Sequence, residues 1–391
     1  MIKMFIACLH IIYRKIFAVF GNNRVILQNK YYVSDKIYQR ELKQLFYKLW
    51  IFVGISTEIP KDKSWMLRKI GPKEVILFRD GEEIRCFENV CAHKNMRICS
   101  SEFGRGVLAC PYHGWVYEPG GELRKVPFEN QSYKYSENEL NSLGLNAYKV
   151  TLLGSMIFVC LSKAPIKIER QFPSYILRSL KLTSKGWSSH VHHSCEERNF
   201  NWKLNFENLR DPLHPLFLHQ KSLASEVDFS SSFSEFPPVE KGLVFTRLPN
   251  ISTFSLDGKS KSNSLPSYDK MFRRNFSEGY YNWLLFPNFH MASPDGGRTF
   301  NLEVFNPIAA DKVEIKKFWV MNKPRKEINA TEFLEQREVA GRQVLDEDFD
   351  ANEEVQKALT TADTNAYVGA YEAWNINIAR AYKRLMAGIL F

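Results

Sequence analysis

Cys91-Ala-His93 and, after sixteen further residues, Cys110-Pro-Tyr-His113 pair one thiol with one imidazole twice over. Both pairs lie between strand-like segments, so two loops can bring four metal ligands to one point. A structural zinc site of two Cys and two His is one way to use such a set. Zinc fingers, however, separate their Cys pair from their His pair, whereas here each loop carries one of each. That division suits an asymmetric [2Fe–2S] cluster, with two Cys on one iron and two His on the other. Pro111 stiffens the entry to the second loop, and Gly114 lets it turn tightly. Cys91, His93, Cys110 and His113 are the expected cluster ligands.

The surrounding residues read as β-structure from about Tyr47 to Pro165. Glu74–Arg79 and Ile84–Phe87 flank Asp80-Gly81, a hairpin turn signal. Val107–Cys110, Trp115–Tyr117 and Met156–Cys160 are further strands, and Pro119-Gly120-Gly121 is a turn. This predicts a small all-β domain. Beyond it, Asn282–Phe289, Thr299–Phe305 and Val313–Val320 read as strands, while Thr331–Leu359 and Tyr371–Met386 read as helices. Ser34–Trp50 also reads as helical and is expected to pack on the later region. The expected division is 1–46 as an N-terminal helical segment, 47–165 as the cluster domain and 166–391 as the second domain.

Length and composition agree with an α+β protein of more than one domain. The chain has 391 residues, 45% hydrophobic and 25% charged, which excludes collagen-like, disordered and disulfide-scaffold classes. The net charge is +10, and a dense basic group is formed by Lys312, Lys316, Lys317, Lys323, Arg325 and Lys326. It reads as a general basic surface suited to an acidic protein partner. No nucleic-acid-binding signature accompanies it, so no nucleic acid is expected. Residues 1–20 are apolar, with Lys3, His10 and Arg14 on one helical face. They are expected to pack on the protein or to make a weak membrane-surface contact.

A second constellation lies at Asn201-Trp-Lys-Leu-Asn-Phe-Glu-Asn208-Leu-Arg-Asp211-Pro-Leu-His214-Pro-Leu-Phe-Leu-His219. Two imidazoles and a carboxylate on one face of a metal make the facial triad of a non-haem Fe(II) oxygenase. His214 and His219 are five apart, so a straight helix does not aim both at one point, and Pro215 is expected to bend the segment. The third ligand must be distant. Asp346, Glu347, Asp348, Asp350, Glu353 and Glu354 are available. Val344, Asp348, Ala351, Val355 and Leu359 share one otherwise apolar helical face. An acid there is costly unless paired or metal-bound, which selects Asp348.

With Asn-Trp-Lys, Glu-Asn and Asp-x-x-His-x4-His in place, the sequence resembles the α subunits of Rieske non-haem iron oxygenases, the aromatic-ring-hydroxylating type. The resemblance runs from about Tyr31 to Ala387 in the family's domain order. The second loop has Tyr112 where high-potential Rieske proteins carry an extra Cys, and Cys99 has no counterpart in that loop. No disulfide clamp is therefore expected, and the cysteine pattern suits a reducing cytoplasm. The family implies an all-β Rieske domain inserted in, or followed by, a helix-grip (START/Bet v1-like) catalytic domain around a deep apolar pocket. Leu213, Leu216, Phe217, Trp283, Phe286 and Phe289 are candidates to line that pocket or to be plain core. The family's Glu-Asp, then Glu, then Gln falls on Glu347-Asp348, Glu353 and Gln356, again giving Asp348. Its bridging carboxylate between cluster and iron falls on Asp211, whose alternative is a helix cap; Asn208 is expected near the open iron position. His190, His192 and His193 read as strand positions rather than a metal cluster.

The resemblance implies a terminal oxygenase that uses O2 and electrons from NAD(P)H to hydroxylate, by mono- or dioxygenation, an organic substrate, aromatic or otherwise. Electrons would come through a reductase and, in some family members, a ferredoxin, and would cross between subunits of a homotrimer. O- or N-demethylation by the same chemistry and a non-catalytic Rieske electron carrier are the alternatives.

Overall fold

A computed structural model describes residues 27–211, 213–222, 281–295, 297–324, 328–368 and 372–389. The expectations for residues 1–20, Arg325 and Lys326 lie outside the described residues. The chain enters through two short helices, α1 (Lys30–Val33) and α2 (Asp35–Glu41), and a wider turn at Leu42–Phe46. Strands β1 (Ile51–Ile55), β2 (Ser64–Ile70), β3 (Lys73–Asp80), β4 (Glu83–Glu88), β5 (Phe103–Arg105), β6 (Leu108–Ala109), β7 (Val116–Tyr117), β8 (Leu123–Lys125), β9 (Ala147–Leu153) and β10 (Met156–Cys160) follow. They form a seven-stranded antiparallel sheet in the order β1-β10-β9-β4-β3-β2-β5 and a small sheet of β6-β7-β8. Asp80-Gly81 closes the β3–β4 hairpin as expected. Gly81 sits at φ 56°, where a side chain would be strained.

Next come α3 (Ser174–Lys185), β11 (Trp187–Arg198), α4 (Trp202–Asn208) and α5 (His214–Leu218). Strands β12 (Tyr281–Leu285), β13 (Phe289–Ser293), β14 (Thr299–Ala309) and β15 (Lys312–Asn322) complete a second antiparallel sheet, ordered β11-β15-β14-β13-β12. The predicted strand over Asn282–Phe289 is thus two strands, turned over at Phe286-Pro287-Asn288. The long helix α6 (Ala330–Leu359) lies across this sheet, and α7 (Ala373–Met386) follows. His190, His192 and His193 are all in β11, at strand positions.

The two faces of the second sheet differ. Trp283, Leu285, Phe289, Met291, Leu302 and Phe318 point away from α6. They pack with Phe52 and Phe158 of the cluster domain and Ile176 and Leu180 of α3. Trp283 and Phe289 are therefore core between the domains, and Phe286 belongs to the larger core beside them.

The N-terminal helices pack on the catalytic half through a buried polar knot, which accounts for the Asn-Trp-Lys sequence. Glu41 accepts hydrogen bonds from Lys203 Nζ (2.6 Å), Trp202 Nε1 (3.0 Å) and the Tyr382 hydroxyl (2.5 Å). Asn201 caps α4 through Lys203 N (3.0 Å) and ties it to the Tyr32 and Ala310 carbonyls. A buried ammonium is tolerated because this carboxylate faces it. The sequence-based picture of a basic patch needs correction. Lys312 pairs with Glu197 and Lys316 with Glu102, while Lys317 is fully buried against Glu196 and Glu338. These lysines hold β15 to its neighbours instead of forming a free cationic surface.

Candidate functional site

The two cluster loops repeat one backbone design. Cys91 N donates to Met96 O (2.8 Å) and Asn95 N to Cys91 O (3.0 Å). Cys110 N donates to Trp115 O (2.8 Å) and Gly114 N to Cys110 O (3.0 Å). Asn95 and Gly114 occupy matching left-handed positions, φ 57° and 71°. Asn is the residue other than Gly that takes this conformation most readily, so Asn95 was a loop signal beside the better-known Gly114. The result brings the His93 and His113 rings to 4.5 Å between centroids.

The chemistry of this pocket fits an iron–sulfur cluster. Cys91 and Cys110 are buried, and both His Nδ1 atoms are buried with no hydrogen-bond partner. Buried polar atoms facing one another unpaired are costly unless a ligand fills the gap between them. Trp115, fully buried, stacks on His93 at 4.8 Å and 8°. The Tyr117 hydroxyl lies 3.1 Å from Cys91 Sγ and accepts from Ala92 N at 3.1 Å, so its own proton is free for the sulfur. The cysteines among the described residues are free, and Cys99 has no disulfide partner.

In the catalytic half, α5 is a single helical turn. His214 is its first residue and His219 its C-cap, with φ −96° and ψ 28°. Pro215 does not bend the segment; it sits in the first turn, where its missing N–H costs nothing. The two imidazoles converge because the helix stops between them. On α6 the buried residues include Asp348, Phe349, Asn352 and Gln356, while Val355 is 46% exposed. The expected apolar stripe through Val344 and Val355 is thus displaced, although Asp348 does face inward. Asn352 Nδ2 bonds Asn205 Oδ1, and Gln356 Oε1 accepts from Asn201 N, so the buried amides clamp α6 to α4.

This packing places Asp348 Oδ1 3.1 Å from His219 Nε2 and 3.4 Å from His214 Nε2. One ligand atom from each of the three residues lies within 4.8 Å of the others. Burial opposes ionisation of Asp348, but the facing imidazoles of His214 and His219 outweigh it and hold its carboxyl down at about 2. A carboxylate with two imidazole nitrogens in a buried corner is the donor set of a non-haem Fe(II) centre. Asn208 Nδ2 donates to Asp348 Oδ1 at 2.8 Å, which puts Asn208 beside the triad. Asp211 O faces His214 Nδ1 at 2.8 Å, and Asp211 Oδ1 accepts from Leu213 N at 2.8 Å. Leu213 and Leu216 flank the triad on the same turn, and Phe217 is 74% exposed. Glu347 was overlooked as a functional partner. Its Oε2 meets His219 Nδ1 at 2.8 Å and the Ser222 hydroxyl at 2.6 Å.

Comparison with known proteins agrees with both halves. The Rieske [2Fe–2S] domain family matches residues 49–148, and the ring-hydroxylating α subunit catalytic domain matches 184–388, more than half of the chain. The large oxygenase component of salicylate 5-hydroxylase from Ralstonia sp is 34% identical over 48% of this chain and 47% of its own length. The naphthalene 1,2-dioxygenase large component from Pseudomonas putida is 27% identical over 77% of this chain and 74% of its own. The chain thus spans about half the length of the first of these relatives. Among solved structures, naphthalene 1,2-dioxygenase with indole bound superposes with TM-score 0.72 at 23% identity, covering 93% of this chain and 92% of that one. The quaternary ammonium Rieske monooxygenase CntA gives 0.71 at 17%, covering 91% and 94%. These two show the same α+β fold. No helix among the described residues is long and apolar enough to cross a membrane. The two family matches imply a Rieske cluster and a mononuclear iron, and the chain belongs to the ring-hydroxylating oxygenase α subunits that join a Rieske domain to a non-haem iron domain.

Proposed function

We propose that the chain is the terminal oxygenase component of a multi-protein system that hydroxylates a small organic substrate with O2. NAD(P)H supplies the electrons through a separate reductase, with a ferredoxin where the system has one. In this reading Cys91, Cys110, His93 and His113 hold the cluster, and His214, His219 and Asp348 hold Fe(II). The observation that carries the reading is the convergence of His214 Nε2, His219 Nε2 and Asp348 Oδ1 in a buried corner.

When bound, the cluster supplies single electrons and the Fe(II) supplies a site for O2 activation. The protein's part is positional. Three protein donors on one side of an iron leave open positions for O2 and substrate. Asn208 orients the Asp348 carboxylate, and Asp211 orients the His214 ring from its backbone oxygen. Burial of His219 and Asp348 keeps bulk water from the donor set.

An oligomer fits this assignment. Each cluster loop carries an exposed apolar residue at its rim, Met96 (42% exposed) on the first and Tyr112 (60%) on the second, and Phe128 (74%) is exposed further along the chain. A rim of this kind suits a second copy of the chain, consistent with a homotrimer in which Asp211 of one copy receives electrons from the cluster of another. One solved relative is described in terms of inter-subunit electron transfer.

The test is metal analysis of the purified chain followed by oxygen uptake with a reductase and NADH. Three irons per chain, two in the cluster and one mononuclear, with label from 18O2 in the product, are expected. Two irons per chain, with no reductase-dependent uptake, would leave only an electron carrier.

A further inference from the structure

The face of the second sheet turned to α6 is polar. Cross-strand register puts His290, Glu303, Lys317 and Ser194 in one row over β13, β14, β15 and β11. The next row holds Ala292, Asn301, Trp319 and His192. Glu338 of α6 pairs with His192 and Lys317, which fixes the orientation of both rows. Over β14 the polar groups are buried: Glu303 is 1% exposed and Asn301 8%.

Opposite each other on β14 and β15, two atoms have no hydrogen-bond partner among the described residues. Glu303 takes His290 Nδ1 at 2.7 Å and Asn301 Nδ2 at 3.0 Å. That fixes the amide of Asn301 and leaves Oδ1 as a buried, unpaired acceptor. Directly across the strand pair, Trp319 Nε1 is a buried, unpaired donor, and Trp319 is 5% exposed. Each such atom carries a desolvation cost that no hydrogen bond among the described residues offsets. Opposed residues on neighbouring strands stand about 5 Å apart, so one small ligand group can satisfy both.

The position is right for a substrate. The Trp319 ring lies 3.8 Å from where a Cβ on Gly341 of α6 would be, so the glycine leaves α6 with no side chain against that ring. Gly341 is seven residues, close to two turns, before Asp348. It shares the inward face with Asp348 at about 10 Å along the helix axis. That is about the length of a substituted monocyclic skeleton.

We propose that Asn301 and Trp319 anchor the end of the substrate remote from the metal, and that the group they take is a neutral hydroxyl or carboxamide. Such a group both donates to Oδ1 and accepts from Nε1, which neither a carboxylate nor a hydrocarbon does. The Glu303 carboxylate beside Asn301 counts against a carboxylate ligand, and the cost of the unpaired atoms counts against a bare hydrocarbon. This inference rests on the oxygenase reading above for its placement of the reacting end.

The experiment is calorimetric titration of the purified holoprotein with benzamide, phenol, toluene and benzoate. Benzamide and phenol should bind, with toluene and benzoate at least about tenfold weaker. Asn301→Leu should bring benzamide to the toluene level while the cluster absorbance and iron content stay as in wild type. Trp319→Phe keeps the ring in the core and should also weaken benzamide; it serves as the second variant if Asn301→Leu does not fold. Toluene or benzoate binding as well as benzamide, benzamide binding unaltered in the folded variants, or failure of both polar probes to bind overturns the anchor. The oxygenase reading fails separately. Asn301-dependent binding of benzamide to a protein with two irons per chain and no reductase-driven oxygen uptake would keep the anchor and remove the enzyme.

Discussion

The Nδ1 of His219 meets Glu347 Oε2 at 2.8 Å, while Nε2 of the same ring faces Asp348 Oδ1 at 3.1 Å. Consecutive carboxylates on α6 thus address opposite nitrogens of one imidazole. A carboxylate facing Nδ1 requires the proton there, which leaves the Nε2 lone pair for a metal. Ser222 also donates to Glu347 Oε2, so the carboxylate itself is held.

It follows that Glu347→Ala should weaken Fe(II) retention about 10- to 100-fold, while Glu347→Gln, whose carbonyl still accepts from Nδ1, should lose less. Chelator competition on the mononuclear iron gives the measurement, with the cluster spectrum as internal control. Equal retention in wild type and Glu347→Ala would show that the ring is oriented by its packing alone.

How much of this was legible in the chain depends on distance and on what compensates burial. The cluster ligands are local, two or three residues apart on each loop, and could be read directly. His214 and His219 were equally local, but the reason they converge was not, because helix termination at Leu218 is a backbone event. Helical phase selects Asp348 although the apolar stripe it implies passes through Val355, which the structure exposes. The true stripe runs through Asn352 and Gln356, amides that a hydropathy pattern assigns to solvent and that α4 pays back with hydrogen bonds. The same limit hid the buried polar face of the second sheet. Thr299-Phe-Asn-Leu-Glu-Val-Phe305 alternates like a half-exposed strand, yet both of its faces are buried.

At the cluster, Tyr117→Phe should lower the reduction potential. The Tyr117 hydroxyl oxygen accepts a hydrogen bond from Ala92 N, so its own O–H can donate to Cys91 Sγ. A hydrogen bond to sulfur stabilises the reduced, more negative cluster, and its loss favours the oxidised form. Redox titration followed by EPR decides it, and a potential equal to wild type would show that the hydroxyl serves only Ala92.

Acid stability should depend on Glu196. Burial works against its charge, but Arg342, Lys317 and Arg198 outweigh that and hold its carboxyl at about 2, below the ordinary 4.5. Because the folded value is lowered, the stabilisation is complete above the unfolded value. It is lost as pH falls from about 4.5 towards about 2. Thermal melts of Glu196→Gln should therefore start lower than wild type near neutrality and fall less between about pH 5 and about pH 3. Parallel curves across that range would mean that another carboxylate carries the acid sensitivity.

The sharpest division among the acids of α6 concerns Asp348, Asp346 and Asp350. Asp348 is 6% exposed and faces both imidazoles. Asp346 is engaged with Arg342 and Arg198, and the Asp350 side chain is 74% exposed. Asp348→Ala removes the one carboxylate of the donor set, so iron should drop from three towards two per chain with the cluster spectrum unchanged. Two nitrogen donors alone hold Fe(II) less tightly than the full triad, so the mononuclear iron should be lost on purification. Without metal, the variant should be less stable than wild type stripped of its mononuclear iron, because the facing imidazoles hold Asp348 ionised in the fold and the substitution removes that pairing. Asp350→Ala should keep iron and oxygen uptake within a few fold. Asp346→Ala should keep iron but lower the melting temperature by loosening Arg198 and Arg342. If Asp346→Ala loses iron and Asp348→Ala keeps it, the inward face of α6 has been assigned to the wrong residues and the triad falls with it.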